Sequence, residues 1–576
     1  MAEKITGAEA IIRSMISEGV DLVFGYPGGA IISVYDKLYD YTSSITHILT
    51  RHEQGAVHAA QGYARVSGKT GVVIVTSGPG ATNVITGISD ALMDSTPLVV
   101  ITGQVSVDLL GTDAFQETDV VGITQPITKW SYQIRKVEEI PAMVAKAFHI
   151  ANSGRPGPVV LDIAKEAQMG KIEWGEYHKC NYIRSYIPLP EIKHADLQKV
   201  ADLINSAERP MIISGHGVMI SGAEDALQSL AEKADIPVAT TLLGLSTIPT
   251  GHPLNKGLVG MHGNIAPNWK TNEADVLIAI GMRFDDRVTG DKSHYAKNAK
   301  VVHIDIDSSE FDKNIKTTAT VHGDAKQVLE ALLPMISEAK HRDWIKSFEK
   351  PEATEYEAVI KKASYPEDPE SPMRMGEVAR KVAEAAGKNP VLVTDVGQNQ
   401  LLSARYFRYN SPRSIITSGG LGTMGFGLPA SIGAKLGAPD RQVCFFCGDG
   451  GFQMTIQELG TIMQYGMAVK IIILNNHFLG NVRQWQSLFF NNRFSQTQML
   501  NPDFTEIAKA YGIPGENVGS RRDLNGAIKR MMDYPGAYVL NVRVDEKDMV
   551  FPMTPNGSPV DFIMLDRNNI YKPEKS

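Results

Sequence analysis

The chain has 576 residues, 43% hydrophobic and 21% charged, with a formal net charge of −7. That balance has no basic excess for nucleic acid, and no apolar run nears the ~18 residues of a membrane helix. Three cysteines in this length imply no disulfide framework and fit a reducing cytosol, and the length itself predicts about three or four domains.

The N-terminal stretch mixes acids and bases at helical spacing, with a helix over Glu9–Glu18. It has no basic-then-apolar signal pattern, so a cytoplasmic protein is expected. Leu22–Phe24 reads as a short strand running into Gly25-Tyr26-Pro27-Gly28-Gly29. Gly71–Thr76, Leu98–Thr102 and Pro158–Ile163 are continuous apolar strands, and Glu53 precedes an alanine-rich helix over Ala56–Ala64. Residues 1–170 are therefore an open α/β sheet, and 171–195, polar and proline-bearing, read as a linker. Residues 196–335 alternate again, with strands at Met211–Ser214, Val238–Thr241, Val276–Ile280 and Val301–Ile306. Gly215, Gly217 and Gly281 follow two of these strands, but no clean GxGxxG precedes a helix, so a dinucleotide signature is weak. A charged linker over 336–372 leads to a third α/β unit over 373–550, and 551–576 read as a tail. The fold class is α/β, three doubly wound parallel-sheet domains.

The third unit holds the most specific pattern. Val443–Cys447 and Val469–Leu474 are short apolar runs suited to strands buried on both faces, joined by room for one helix over Thr455–Gln464. The first run ends in Gly448-Asp449-Gly450-Gly451 and the second in Asn475-Asn476. Ligands in such sheets sit outside the carboxyl ends of the strands, which predicts Asp449 and Asn476 at one rim. A carboxylate and an amide oxygen suit Mg²⁺, and glycines admit a phosphate close to the backbone. Cys444 and Cys447, although spaced CxxC, face opposite sides of one strand and read as core thiols.

GDG closing one buried strand and NN closing the next resembles the diphosphate-and-metal motif of thiamine diphosphate (ThDP) enzymes. Together with GYPGG, RHEQGA, SGPGATN, GTDAFQE and RFDDRVTG, it makes the chain similar to acetohydroxyacid synthase (acetolactate synthase) catalytic subunits. The resemblance runs from about Gly25 to Trp485. It implies that Asp449, Asn476 and the Phe478 carbonyl ligate Mg²⁺, and that Glu53 pairs with the aminopyrimidine ring. Gly28, Gly29, Gly448, Gly450, Gly451, Val396, Gly397, Gln398 and Asn399 would contact the coenzyme, with Met424 as the wedge beneath it. Asn399 stands where the family usually has His, and Asn481 where it often has Met.

By the same resemblance FAD, without a redox task, would lie against Arg155, Gly215, Gly217, Met261, His262, Gly281, Arg283, Asp305 and Asp324. Phe115, Met261, Arg287 and Trp485 would line the pocket for the acceptor 2-oxo acid, and Gln116 and Lys165 would touch the reacting groups. Ala164 and Glu166 depart from the family's usual residues around that lysine. A homodimer or homotetramer with its sites between subunits is implied, with a small regulatory subunit. The alternatives are a ThDP flavoprotein oxidase sharing the fold and both cofactors, and a non-catalytic scaffold; Arg287 with Trp485 favours carboligation.

Overall fold

The computed structural model describes residues 3–366 and 368–573. Its apolar runs form three six-stranded sheets, all parallel, plus one two-stranded ribbon. The N-terminal part contains β1 (Glu3–Thr6), β2 (Leu22–Tyr26), β3 (Thr46–Leu49), β4 (Gly71–Val75), β5 (Leu98–Gln104), β6 (Trp130–Ile134), β7 (Pro158–Ala164) and β8 (Lys171–Trp174). Its sheet has the order β3-β2-β4-β5-β7-β6. The central part contains β9 (Pro210–Ser214), β10 (Val238–Thr240), β11 (Asn255–Leu258), β12 (Val276–Ile280), β13 (Lys300–Asp305) and β14 (Ala319–His322), ordered β11-β10-β9-β12-β13-β14. That is the 3-2-1-4-5-6 arrangement of dinucleotide-binding sheets, with its switch point between β9 and β12. The C-terminal part contains β15 (Val391–Thr394), β16 (Ile415–Ile416), β17 (Val443–Gly448), β18 (Val469–Asn475), β19 (Gly515–Val518) and β20 (Tyr538–Arg543). Its order, β16-β15-β17-β18-β20-β19, repeats that of the N-terminal sheet.

Several elements differ from expectation. The predicted linker at 171–195 begins with β8, which pairs antiparallel with β1. The predicted linker at 336–372 starts with helices, and Trp344 and Phe348 are buried against the central sheet, Trp344 Nε1 donating to the Pro210 carbonyl at 2.8 Å. Between β17 and β18 two helices, Asp449–Met454 and Leu459–Tyr465, replace the single predicted one. The tail at 551–576 lies on the central part, with Thr554 N donating to the Met261 carbonyl at 2.7 Å and Ile563 and Tyr571 packed on Ile265. Cys444 and Cys447 fall into separate cores on the two faces of their sheet, and burial pushes the Cys444 thiol up to about 12.

One core spans the first and third sheets. Helix Glu53–Ser67 lies on helix Gly427–Gly437 so closely that small residues are required: a Cβ on Gly62 would sit 2.0 Å from the Ala430 carbonyl oxygen, and one on Gly433 only 1.7 Å from that of Ala59. Gly433→Ala is therefore expected to lower stability by about 1–3 kcal/mol, read as a fall in the urea midpoint. An unchanged midpoint would mean that the two helices do not meet.

Candidate active site

In the C-terminal sheet the strand order changes direction between β15 and β17, and both strands end in glycine-bearing turns. Gly448 and Leu474 are register partners, so Asp449 and Asn476 leave the sheet at the same rim, as the strand spacing predicted. The Asp449 side chain is fully buried. Its Oδ2 accepts from Asn501 Nδ2 at 2.6 Å, whereas Oδ1 has no partner. Burial raises its pKa above the usual carboxylate value. A dry carboxylate oxygen without a donor costs free energy unless a cation meets it. Asn476 Oδ1 accepts from Phe478 N at 3.1 Å, and its Nδ2 donates to Gln398 Oε1 at 3.3 Å. The donor set thus fits Mg²⁺, a hard ion held by oxygen. Among the described residues no group of three or more His, Cys, Asp or Glu side chains offers another metal site.

The glycines here serve close approach. A Cβ on Gly451 would lie 2.4 Å from Asp395 Oδ1, and one on Gly450 would lie 2.7 Å from Leu479 Cδ2 and 3.9 Å from Met424 Cε. Gly397 has φ 116 and Gly425 has φ 86, both in the left-handed region. Asn399 Nδ2 donates to the Val396 carbonyl at 3.0 Å, leaving its buried Oδ1 without a partner.

The corresponding rim of the N-terminal sheet holds Glu53, the first residue of helix Glu53–Ser67. Its Oε2 accepts from Asn83 Nδ2 at 2.9 Å, and a Cβ on Gly80 would lie 3.5 Å from Oε1. Gly28 abuts the Thr76 side chain, while Gly29 is open on all sides to 4 Å. Gln116 has φ 60 and faces Gly78, and Phe115 is 88% exposed. Lys165 begins the short helix after β7 and is exposed.

Beneath that loop, Asp162 accepts from Thr102 Oγ1 at 2.7 Å, Gln133 Nε2 at 2.9 Å and Gln104 Nε2 at 3.0 Å. Gln104 also donates to the Thr118 carbonyl at 2.9 Å, tying the loop to the sheet. Burial pushes the Asp162 carboxyl up to about 6. A raised carboxylate pKa stabilises the fold when protonated, so this contribution is lost as pH rises through about 6. The Asp162→Asn protein is expected to lose about 1 kcal/mol less stability than the parent between pH 5 and 7. An equal fall in unfolding free energy from pH 5 to pH 7 in the two proteins, read from urea midpoints, would refute this.

A third feature is a cleft of about 630 Å³ at the switch point of the central sheet. Arg155, Gly217, Met261, His262, Gly281, Arg283, Asp305 and Asp324 line it, together with Arg287, Asn481 and Trp485. Gly215 does not: its N–H donates to the Ile280 carbonyl at 2.9 Å, and a Cβ there would strike the Gly281 oxygen at 2.2 Å. It packs two strand ends together. Arg155 pairs with Glu310 at 2.9 Å and Asp307 at 3.2 Å. Arg287 rests on Met261 Sδ at 3.6 Å, with its guanidinium 60% exposed and Asp286 3.7 Å away. Size, polar lining and the buried, unpartnered His262 Nδ1 fit a flavin dinucleotide. Glu53, Phe115, Gln116 and Lys165 are not among the residues lining this cleft.

Three models of thiamine pyrophosphate enzymes match the chain: the N-terminal TPP binding domain over 5–123, the central domain over 197–332 and the C-terminal TPP binding domain over 395–542. A probable acetolactate synthase large subunit of Methanocaldococcus jannaschii is 45% identical over 96% of this chain and 94% of its own. The acetolactate synthase large subunit of Lactococcus lactis is 43% identical over 96% and 95%, and the isozyme 2 large subunit of Escherichia coli K12 is 41% identical over 96% and 98%.

The chain belongs to the acetolactate synthase large-subunit family. Each matched segment falls on one of the three sheets, the first stopping short of β6 and β7 and the third starting just after β15, and thiamine diphosphate is the coenzyme of the first and third. Three side chains of this acetolactate synthase family member escaped sequence reading. Asn501 lies 52 residues beyond Asp449, Asn83 lies 30 beyond Glu53, and Asp395 directly follows β15, just ahead of the run 396–399 expected to contact the coenzyme but outside it. Only SGPGATN, which contains Asn83, carried a signal that could have identified one of them.

Proposed function

We propose that this chain is the catalytic subunit of an acetolactate synthase. It joins pyruvate to a second 2-oxo acid with loss of CO₂, giving 2-acetolactate, or 2-aceto-2-hydroxybutyrate from 2-oxobutyrate, for branched-chain amino acid synthesis. The observation that carries this reading is the buried, unpartnered Asp449 Oδ1 at a glycine-lined switch point, in a chain that also presents Glu53 at the matching rim. When bound, the coenzyme would supply a nucleophilic carbon and an electron sink for the loss of CO₂.

The protein's own residues account for the rest. Asp449, Asn476 and the Phe478 carbonyl hold Mg²⁺ against the diphosphate, and Val396, Gly397, Gln398, Asn399 and Gly448–Gly451 bring the backbone near it. Met424 supports the rings from below. Glu53 holds a proton at its carboxylate for exchange with the aminopyrimidine. Arg287, a planar and permanently charged fork that is 60% exposed with Asp286 3.7 Å away, takes the acceptor carboxylate. FAD occupies the 630 Å³ cleft without redox turnover. Phe115, Gln116 and Lys165, exposed or half-buried in the single chain, reach the substrate from a second copy, so the active unit is a homodimer or a homotetramer. The large-subunit names of the relatives point to a smaller regulatory partner.

Anaerobic assay of pyruvate with ThDP, Mg²⁺ and FAD is expected to yield acetolactate with no electron acceptor consumed. Acetate or acetyl phosphate formed with flavin reduction would identify an oxidase instead. Trp485, tilted against Phe489 with ring centroids 5.0 Å apart and lining the cleft, presents the apolar surface for the extra methyl of 2-oxobutyrate. Such a contact is worth about 1–3 kcal/mol, so Trp485→Leu should reduce the preference for 2-oxobutyrate over pyruvate by about tenfold or more in a competition assay.

A further inference from the structure

Met424 sits in the turn Ser418–Gly427, whose conformation depends on buried acids from two domains. Arg65, on helix Glu53–Ser67, donates from Nη2 to Asp94 Oδ2 at 2.8 Å and lies 3.8 Å from Asp90 Oδ2; both carboxylates are fully buried. Asp90 lies on helix Ile85–Met93 and Asp94 caps its C-terminal end. Asp90 Oδ2 has only the distant guanidinium and no hydrogen-bond donor, while Asp90 Oδ1 and both oxygens of Asp94 accept from the turn. Gly419 N and Gly420 N donate to Asp94 at 2.8 and 2.7 Å. Thr423 Oγ1 donates to Asp90 Oδ1 at 2.8 Å, as does Ser418 Oγ, which in turn accepts from Thr423 N at 2.8 Å. On the other side of Met424, Gly425 N and Gly427 N donate to the buried Asp395 at 3.0 and 3.2 Å. The residues immediately before and after Met424 are thus tethered to carboxylates, Thr423 to Asp90 of the N-terminal part and Gly425 to Asp395 of the C-terminal part.

We propose that Asp90 and Asp94, held by Arg65, are positioning residues: the N-terminal domain sets the turn that aims Met424 into the coenzyme site of the C-terminal domain of the same chain. The functional part rests on the reading of Met424 as the coenzyme's support. Charged acceptors bind N–H groups more strongly than neutral ones do, and the turn's glycines have no side chains to replace them; its one buried ring, Phe426, packs under Arg65 itself, 5.4 Å from the guanidinium carbon. Geometry of this kind affects rate more than substrate affinity, because a misplaced coenzyme still binds pyruvate but reacts slowly. Nothing in the local sequence around Met424 indicates the tether, since its anchors lie more than 300 positions away.

The test uses the full chain. Asp94→Asn keeps the size of the side chain but leaves one acceptor oxygen for two glycine N–H groups. Ser418→Ala removes only the hydroxyl between Asp90 and Thr423 N, and serves if the first variant fails to fold. In coenzyme-free protein, amide exchange in the 418–427 peptide should accelerate by at least ~10-fold, with β17 and β18 unchanged. In protein given ThDP, Mg²⁺ and saturating FAD, kcat for acetolactate should fall by about tenfold or more and half-saturating ThDP should rise, with KM for pyruvate within about threefold. Unchanged exchange, exchange accelerated across the whole chain, or a loosened turn with unaltered kcat and ThDP saturation would each overturn the proposal. If the parent protein makes no acetolactate, the functional reading fails, while the exchange result still decides the tether.

Discussion

Glu53→Gln is expected to lower acetolactate formation by at least ~10²-fold while leaving the fold and ThDP binding in place. The amide has the shape of the acid and can still accept from Asn83 Nδ2, the 2.9 Å contact that orients the carboxylate. It cannot take up and return a proton. Glu53 also opens helix Glu53–Ser67, where a negative charge is favoured by the helix dipole, worth about 0.3–1 kcal/mol. A purely structural Glu53 would therefore show its loss as a small stability change with activity intact. The decisive comparison is kcat against thermal midpoint: a large fall in the first with a shift of a few degrees in the second supports proton exchange at this carboxylate. Activity within about threefold of the parent would remove Glu53 from the chemistry.

The second large effect is expected from mixing two inactive proteins. Asp449→Asn replaces a buried carboxylate, with one oxygen unpartnered, by a neutral amide. It should raise half-saturating Mg²⁺ by about tenfold or more and lower activity accordingly. If the Glu53 rim of one chain meets the Asp449 rim of another, co-expressed Glu53→Gln and Asp449→Asn chains form mixed dimers in which one site carries both changes and the other neither. Random assortment would then restore about one quarter of parental activity. A mixture as inactive as its components would place both residues in a single-chain site. The exposure of Phe115, at 88%, and of Leu500, at 98%, favours the first outcome, since large apolar side chains in such numbers beside a functional rim mark a surface that a partner covers.

Sequence reading was most effective at strand ends. The unbroken apolar runs before Gly448 and after Gly466 suited central parallel strands, and their polar termini followed directly, so Asp449 and Asn476 at one rim were legible from run length and spacing. Boundaries were less so. The expected helix start at Ala56 moved back to Glu53, which makes the carboxylate part of the helix's first turn, and β8 appeared inside a predicted linker because a four-residue edge strand has no periodicity to read. Gly215, expected by resemblance to lie against FAD, packs two backbones together and is not among the residues lining the cleft, a placement that glycine spacing does not encode.

The sequence by itself determined the chemistry on offer: a hard-ion donor pair, glycine turns able to admit phosphate, a carboxylate at the head of an alanine-rich helix and an arginine fork, each written in a few adjacent residues. Only the tertiary structure decided which of these share a wall. Strand order, the approach of Ala59 and Gly433, and the grip of Asp90 and Asp94 on the Met424 turn depend on contacts between residues hundreds of positions apart. Hydrophobic burial and shape complementarity select such pairings across the whole chain, so no local window contains them.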